Sequence, residues 1–369
     1  MKGEFRHFFP GGNTSKGFYS FYRYILPQEV ARRIICIKGG PGTGKSSLMK
    51  RVGQYFNEKG YDVEYHHCSS DNNSLDGVVI KGLNVALLDG TAPHIVDPLN
   101  PGAVDEILNM GTCWNEHGFS DYRNSIISIN KQVGKTFKRA YRYIGAAKTV
   151  HDDWSSYNAE ALNLSKLNLF KEQFKNEIFL NIDVTSMGND RHLFATAFTP
   201  NGIITYVDSI AANYKRVYVL NGGPGTGKTN VLSYLSEEAL KRGLSVEVYH
   251  DPLIPDRIEH VLIPTLSIAI LSSNEINKRN LVGNQINMED FLNKRLVDKN
   301  AEEIEKIKET FYSLLDKGLS IISGAKKLHD ELEKCYIPNM DFDKVEDVFN
   351  QIIAKLLRYE KESKDKINL

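Results

Sequence analysis

Two stretches of the chain have the residue types and the spacing of a phosphate-binding loop, G-x-x-x-x-G-K-[ST]. Glycine permits backbone angles that other residues avoid, and successive N–H groups can then converge on phosphate oxygens. The lysine of such a loop binds the β- and γ-phosphates, and the following hydroxyl group binds Mg²⁺. We therefore expect two sites for a nucleoside di- or triphosphate. The cofactor-binding residues predicted in this way are Gly39, Gly40, Pro41, Gly42, Thr43, Gly44, Lys45, Ser46 and Ser47 in the first site, and Gly222, Gly223, Pro224, Gly225, Thr226, Gly227, Lys228, Thr229 and Asn230 in the second.

A carboxylate that helps to hold Mg²⁺ is expected at the carboxyl end of a neighbouring strand, where the loop also opens. Asp89 follows the apolar run 83–88 and fits this role. Serines stand at the corresponding place in the second site, and Asp251, at the end of the run 244–250, is the candidate replacement. The predicted catalytic residues are therefore Lys45, Asp89, Lys228 and Asp251, and the predicted metal ligands are Ser46, Asp89 and Thr229. The differing positions of the acids predict two non-equivalent sites.

Further polar side chains are candidates for contact with phosphate or substrate. His67 and His250 recur beside the expected phosphate positions, where an imidazole can bind phosphate or can serve as a structural group at a strand end. His94, Asp97 and Arg257 lie on loops that leave the same edge. An ordinary loop role is the alternative for these three.

A glutamate also recurs inside the second strand of each copy, as Glu64 and Glu247. Burial of a carboxylate is costly without a partner, so each is expected to face a cleft or to meet Arg6 or Arg191, which also recur. Those arginines could instead reach the γ-phosphate of the other half.

The elements that must position these residues repeat along the chain. Each loop is preceded by an apolar strand (33–38; 216–221) and followed by a helix (47–59; 230–242). Gly39 and Gly222 are 183 positions apart, and at this offset residues 39–88 match their counterparts without a gap. The agreement predicts a tandem duplication with domains at 1–184 and 185–369.

Each half is predicted to be an α/β domain with a mostly parallel sheet that helices flank. An N-terminal β-hairpin precedes the sheet, formed by residues 5–9 with 18–22 and by residues 192–198 with 203–207. The sheet continues with second strands at 61–67 and 244–250 and third strands at 83–88 and 266–271, joined by short helical or irregular links. A C-terminal helical hairpin follows, at 126–157 with 167–179 and at 301–335 with 343–359, where apolar residues recur at three- and four-residue spacing.

Composition limits the function classes. Lys and Arg together number 46, as do Asp and Glu, so the charge balance does not support nucleic-acid binding. The four scattered cysteines indicate reduced thiols. The first residues lack the apolar core of a signal peptide, and no run of about 18 apolar residues occurs, so we expect a cytoplasmic protein without a membrane span.

The two loops resemble those of the P-loop NTPase superfamily. More narrowly, the tandem loops, the RH[FL]F openings and the DGTAPH and DPLIPDR segments resemble an uncharacterised bacterial family of predicted ATPases, sometimes described as nucleotide-kinase-like. The resemblance covers nearly the whole chain. It implies ATP and Mg²⁺ as cofactors and Asp89 as the Walker B acid.

We predict a Mg-dependent ATP-binding protein with ATPase activity, built as an intramolecular pseudo-dimer. Gly90 follows Asp89, where a motor ATPase usually has glutamate, so two alternatives stay open. One is a kinase that transfers the γ-phosphoryl group to a nucleotide or another small molecule. The other is a non-hydrolysing module in which ATP organises the two halves for binding a protein or a nucleic acid. ATP is favoured over GTP only by the resemblance, and the partner is unknown.

Overall fold

The computed structural model describes residues 2–92 and 95–367, which form two compact units. Unit 1 comprises Met1–Gly11, Ser20–Phe137 and Ile322–Leu369, and unit 2 comprises Gly12–Tyr19 and Lys138–Ile321. The units therefore do not coincide with the halves of the repeat. Each contains the sheet of one half and helical segments from the other.

The first half of the chain contributes eight strands and three α-helices to the described structure. In chain order they are β1 (Phe5–Phe8), β2 (Gly11–Thr14), β3 (Gly17–Ser20), β4 (Arg33–Lys38), α1 (Lys45–Glu58), β5 (Val63–His67), β6 (Leu75–Ile80), β7 (Val85–Asp89), β8 (Asp105–Asn109), α2 (Arg123–Ala161) and α3 (Leu164–Ile178).

The second half repeats this order with two additional short helices. Its elements are β9 (Asp190–Leu193), β10 (Thr196–Thr199), β11 (Gly202–Thr205), α4 (Val207–Ala211), β12 (Arg216–Asn221), α5 (Lys228–Leu240), β13 (Val246–His250), β14 (Ile258–Ile263), β15 (Ile268–Ser273), β16 (Asn284–Asn287), α6 (Lys294–Lys299), α7 (Ala301–Tyr336) and α8 (Phe342–Ile367).

Each unit is built on a six-stranded mixed sheet. The order in unit 1 is β1-β5-β6-β7-β4-β8, and the equivalent strands of unit 2 follow the same order, β9-β13-β14-β15-β12-β16. Five strands of each sheet run in one direction, while β6 and β14 run against their neighbours. The α/β class is confirmed, but the residues expected to form only a link contain the antiparallel strands β6 and β14, and the edge strands β8 and β16 were not predicted either. Every residue of β6 is buried, so it lacks the polar alternation of a half-exposed strand.

The predicted N-terminal hairpins are wrong in detail. β1 lies at the edge of the main sheet of unit 1, parallel to β5, with Phe5 opposite Val63. The hairpin partner of β3 is instead β2. In unit 2 the run 192–198 likewise divides into β9, parallel to β13, and β10, antiparallel to β11. In the first copy Pro10-Gly11 marks the break between the two strands, whereas in the second copy the break at Phe194-Ala195 carries no turn dipeptide, so there the pattern alone does not separate them.

The helical hairpins form close to the predicted bounds, but each covers the sheet of the other half. In unit 1, α8 packs on α1, with Val345, Ile352 and Leu356 in the core. In unit 2, α3 packs on α5, with Leu167 and Phe174 in the core. Burial of these apolar stripes joins residues distant in sequence into each unit.

Two predictions from composition can be compared with the fold. All four cysteines are buried free thiols. In the part of the chain that the structure describes, no helix combines the length and apolar character needed to span a bilayer.

Candidate functional site

The first loop connects β4 to α1, which begins at Lys45. Gly42 and Gly44 have φ angles of +68° and +87°, which a side chain would strain. The Lys45 ammonium group is largely buried and donates hydrogen bonds to the carbonyl oxygens of Gly39, at 2.8 Å, and Gly40, at 2.6 Å. The loop thus places a cation at the beginning of a helix, where N–H groups also carry partial positive charge.

Asp89 lies next to this lysine. It ends β7, which pairs with β4 so that Asp89 is opposite Ile37. Its Oδ2 atom is 3.5 Å from the Nζ atom of Lys45, and its Oδ1 atom accepts a hydrogen bond from the N–H of Thr91. Ser46 is nearby in sequence and its hydroxyl oxygen accepts a hydrogen bond from the N–H of Leu75. The predicted lysine and acid of the first site are therefore brought together.

The end of α7 covers the first loop inside unit 1. A β-carbon on Gly40 would lie 2.2 Å from the ring of Tyr336, and one on Gly42 would lie 3.0 Å from Ile337. A side chain at either position would therefore collide with this covering segment. Nearby on the same helix, the Nδ1 atom of His329 lies 3.5 Å from a carboxylate oxygen of Glu333. A helix from the second half thus supplies charged groups beside the first loop.

The second loop has the same local geometry in unit 2. It connects β12 to α5, which begins at Lys228, and Gly225 and Gly227 have φ angles of +77° and +91°. The Lys228 ammonium group donates to the carbonyl oxygens of Gly222 and Gly223, each at 2.5 Å. Burial lowers the pKa of this lysine, and the nearby carboxylates oppose part of that effect.

A helix from the first half covers the second loop. The Asn158 side chain on α2 donates to the carbonyl oxygen of Pro224 at 2.7 Å. A β-carbon on Gly225 would lie 2.1 Å from the carbonyl oxygen of Ser155. Asn158 and Tyr336 are 178 positions apart, as are His151 and His329, so matching positions of α2 and α7 cover the two loops.

A cavity of about 380 Å³ opens on the second loop. It is lined by loop and helix residues, including Lys228, Thr229 and Asn230, and by three acidic residues from different strand ends. Volumes of this size are typical of small-molecule sites. The acids are Asp251, Glu259 and Glu275, and Arg257 is also at the wall.

Asp251, the predicted acid, lies in this wall. Its Oδ1 atom accepts hydrogen bonds from the N–H groups of Leu253, at 2.7 Å, and Ile254, at 3.0 Å. Burial raises the pKa of Asp251, and the charge of Glu275 adds to this. One of its oxygens therefore stabilises the following turn, although the residue also lines the cavity.

Glu275 is a functional candidate that the sequence reasoning missed. Its Oε1 atom is 2.6 Å from the Nε2 atom of His151, which belongs to the covering helix α2. Its Oε2 atom is buried and has no hydrogen-bond partner among the described residues. Burial acts to raise the pKa of Glu275, but the hydrogen bond with His151 and the charge of Lys228 outweigh it and hold the pKa below its ordinary value. The carboxylate is thus kept ionised with one oxygen available.

Glu259, at the start region of β14, was also missed. Its Oε1 atom accepts hydrogen bonds from the side-chain amides of Asn274, at 3.1 Å, and Asn277, at 2.9 Å. Burial raises its pKa to about 8, and the charge of Asp251 contributes. One sequence signal was present, because Asp76 occupies the matching position of the first copy, 183 residues earlier.

Each of the recurring histidines is paired with a second histidine on the neighbouring strand. The Nε2 atom of His67 lies 2.8 Å from the Nδ1 atom of His7, and His250 forms the same pair with His192 at 2.8 Å. Burial lowers the pKa of His67 to about 3 and that of His250 to about 4. These groups are therefore neutral at pH 7 and link neighbouring parallel strands.

The recurring glutamates meet the recurring arginines, as expected. Arg6 and Glu64 approach to 3.9 Å in unit 1, and Arg191 and Glu247 approach to 3.9 Å in unit 2. Each arginine thus neutralises a carboxylate of its own sheet, which gives no support to a role at a distant γ-phosphate.

The predicted loop contacts have different outcomes. The Asp97 carboxylate lies 2.8 Å from the ammonium group of Lys38 and forms an ion pair with it. Arg257 lines the cavity of unit 2 and lies 3.8 Å from Asp152. His94 lies outside the described residues. Ser47 lies in the first turn of α1.

Comparisons of the chain with protein-family models, with curated proteins and with solved structures found no match. The proposals below therefore depend on the geometry of the two loops and their surroundings.

Proposed function

We propose that the chain is a P-loop NTPase that binds Mg·ATP and hydrolyses it in unit 2. The observation that carries this proposal is the cavity that joins Lys228, at the beginning of a helix, with a buried carboxylate oxygen of Glu275 that has no partner among the described residues. Lysine, helix N-terminus and glycine-rich backbone are the groups that bind a triphosphate. The two halves, 1–184 and 185–369, would then be two copies of one nucleotide-binding fold arranged as a pseudo-dimer.

The residues around the cavity fit a magnesium ion. The Thr229 hydroxyl group and the Asp251 carboxyl group line the same space, and Asp251 is the acid that the sequence predicts for this site. Within residues 2–92 and 95–367, no three side chains of His, Cys, Asp or Glu are grouped so that they could hold a metal ion by themselves. Magnesium commonly uses only one or two protein groups and takes the remainder of its ligands from phosphate and water. When bound, the ion would neutralise phosphate charge.

The side chains of unit 2 can divide the work of hydrolysis. Lys228 would leave its loop carbonyls to bind phosphate oxygens, which replaces weak neutral partners by charged ones. Glu275 would accept the proton of the attacking water, and His151 would hold its carboxylate in place through the 2.6 Å hydrogen bond. Asp251 would contribute negative charge at the wall.

Unit 1 carries a second nucleotide site under this proposal. Lys45, Ser46 and Asp89 supply the phosphate cation, the hydroxyl group and the Walker B acid there. Ala92 stands at the position that matches Glu275, so the two sites are chemically different. We assign hydrolysis to unit 2 and nucleotide binding without comparable turnover to unit 1.

The test is phosphate release from Mg·ATP by a Glu275→Gln variant in a Lys45→Met background, so that turnover comes from unit 2. Loss of a general base costs on the order of 10²- to 10⁴-fold in rate, so kcat should fall at least 100-fold. A matched Glu302→Gln variant changes an exposed glutamate on α7 and should keep kcat within twofold. Turnover of Glu275→Gln within threefold of its parent would overturn the assignment.

A further inference from the structure

A second cavity of unit 2 lies beside the nucleotide cavity. It is wide open to solvent and has a volume of about 330 Å³, and Glu275 and Asn274 line both spaces. The nucleotide cavity faces the later part of the loop, from Pro224 onward, whereas the second cavity faces Gly222 and Gly223. One strand end therefore separates two small-molecule-sized spaces.

The second cavity opens where a terminal phosphate is expected. The Lys228 ammonium group, which binds the β- and γ-phosphates in loops of this type, lies 2.5 Å from the carbonyl oxygens of Gly222 and Gly223. Those two glycines line the second cavity. A molecule held there would lie next to the two glycines that the Lys228 ammonium group contacts.

A carboxylate stands at this junction. The side chain of Glu275 is 6% exposed, and its Oε2 atom is buried without a hydrogen-bond partner in the described structure. The backbone of the same residue is fixed, because the Tyr312 hydroxyl group donates to its carbonyl oxygen at 3.1 Å. His151 fixes the other carboxylate oxygen. The free oxygen can therefore bind a hydroxyl group at a defined place.

Aromatic side chains form the opposite part of the second cavity. Trp154 is almost fully buried and packs edge-on against Phe311, with ring centroids 6.2 Å apart, so its indole is held rigidly. Tyr312 is partly buried. Lys308 lies over the indole at 5.3 Å and Lys278 lies over the Tyr312 ring at 3.9 Å, so one face of each ring already carries an ammonium group. Aromatic walls bind planar rings by stacking. Attack by water alone needs no such walls.

We propose that the second cavity is the acceptor subsite of a phosphoryl-transfer reaction, and that it takes a small hydroxyl compound carrying a planar ring. This inference rests on the proposed nucleotide site. The acceptor oxygen forms a bond to the γ-phosphorus, and the bond between that phosphorus and the β,γ-bridging oxygen breaks. The electron pair leaves with ADP, and the hydroxyl proton moves to Glu275. The products are ADP and a phosphomonoester.

The test supplies γ-³²P-labelled ATP, Mg²⁺ and one acceptor at a time to the full chain. Adenosine, uridine and pyridoxine carry a planar ring and a hydroxymethyl group, whereas glycerol and glucose carry hydroxyl groups without an aromatic ring. Separation of the products should show a labelled phosphomonoester with at least one ring compound and none with glycerol or glucose. No labelled ester from any ring compound, or equal labelling of glycerol or glucose, would overturn the inference.

Variants of Tyr312 test whether the acceptor binds in the second cavity. Tyr312→Ala should raise the KM for the acceptor at least tenfold, while Tyr312→Phe, which keeps the ring, should raise it less than threefold. Tyr122→Ala removes an exposed tyrosine of unit 1 and is the matched control. Equal acceptor KM values for Tyr312→Ala and the wild type would count against the site. The wild-type labelling result is decisive even where Tyr312→Ala does not fold.

Failure of this inference can be distinguished from failure of the proposed function. Binding of Mg·ATP is measured separately through the fluorescence of Trp154 in a Trp114→Phe background. If ATP binds and releases free phosphate but labels no acceptor, only the acceptor subsite is wrong. If ATP does not bind to the chain, the proposed nucleotide site itself is wrong.

Discussion

Replacement of Glu259 by glutamine should stabilise unit 2 at neutral pH. The carboxyl group is buried in the wall of the nucleotide cavity, and burial raises its pKa to about 8 from an ordinary value of 4.5. Glutamine keeps the oxygen that accepts from Asn274 and Asn277. It also places an amide group where the second carboxylate oxygen lies 3.5 Å from His260. The variant therefore removes the cost of ionisation while keeping the contacts.

The sign and size of the effect follow from proton linkage. Below pH 4.5 the group is protonated in both the folded and the unfolded chain, and it adds no pH dependence. As the pH rises toward 8, the unfolded chain ionises and the folded chain does not, so the free energy of unfolding decreases. Each pH unit in this window is worth about 1.4 kcal/mol, which amounts to roughly 3 kcal/mol at pH 7. Above pH 8 the loss is constant at about 5 kcal/mol.

Urea unfolding of unit 2 measures this directly. The chain has two tryptophans, Trp114 in unit 1 and Trp154 in unit 2, so a Trp114→Phe background reports on unit 2 alone. Relative to its parent, Glu259→Gln should gain about 3 kcal/mol between pH 4.5 and pH 7, while the exposed Glu302→Gln control gains nothing. Parallel pH profiles for Glu259→Gln and its parent would refute the reasoning.

Three further predictions concern His250 of the histidine pair in unit 2, Asp89 beside the first loop, and Gly225 under the helix that covers the second loop. Burial lowers the pKa of His250 to about 4, so as the pH drops from 6.5 toward 4 the unfolded chain takes up a proton that the folded chain does not, and the free energy of unfolding falls. At pH 5, His250→Gln should therefore retain about 2 kcal/mol more of its pH 7.5 stability than the wild type does in the same urea assay. An equal loss of stability between pH 7.5 and pH 5 in both proteins would contradict this. Asp89→Asn should weaken Mg·ATP binding at unit 1 about tenfold but leave the binding of magnesium-free ADP within twofold of the wild type. Both affinities are read by Trp114 fluorescence in a Trp154→Phe background. Equal weakening of both ligands would point to a folding defect instead. In Gly225→Ala, a residue with a φ of +77° would gain a β-carbon 2.1 Å from the carbonyl oxygen of Ser155 on the covering helix. This variant should destabilise unit 2 by about 2 kcal/mol or more. If its stability in urea equals that of the wild type, the covering helix is not held against the loop.

The loops and their immediate elements were predictable because their signals are local. Glycine and lysine at fixed spacing define the loop, and the apolar run before it defines the strand. The position of Asp89 beside Lys45 also followed, since parallel neighbours end at the same edge of a sheet. These predictions need only the order of elements along the chain.

The unpredicted features depend on contacts between distant parts of the chain. An amphipathic stripe on α8 or α3 shows that the helix packs, but it does not show on which sheet, so the exchange of helices between halves left no local signal. Glu275 lies two residues beyond the strand end, and its role is visible only when His151 approaches it from α2. Glu259 lies near the start of a strand that pattern reasoning had interpreted as a link.

The central claim, that both loops bind nucleotide, is tested most directly by the number of Mg·ATP molecules bound per chain in equilibrium dialysis. The wild type should bind two, Lys45→Met and Lys228→Met should each bind one, and the double variant should bind none. Wild-type stoichiometry in Lys228→Met, or no binding by the wild type, would contradict the account.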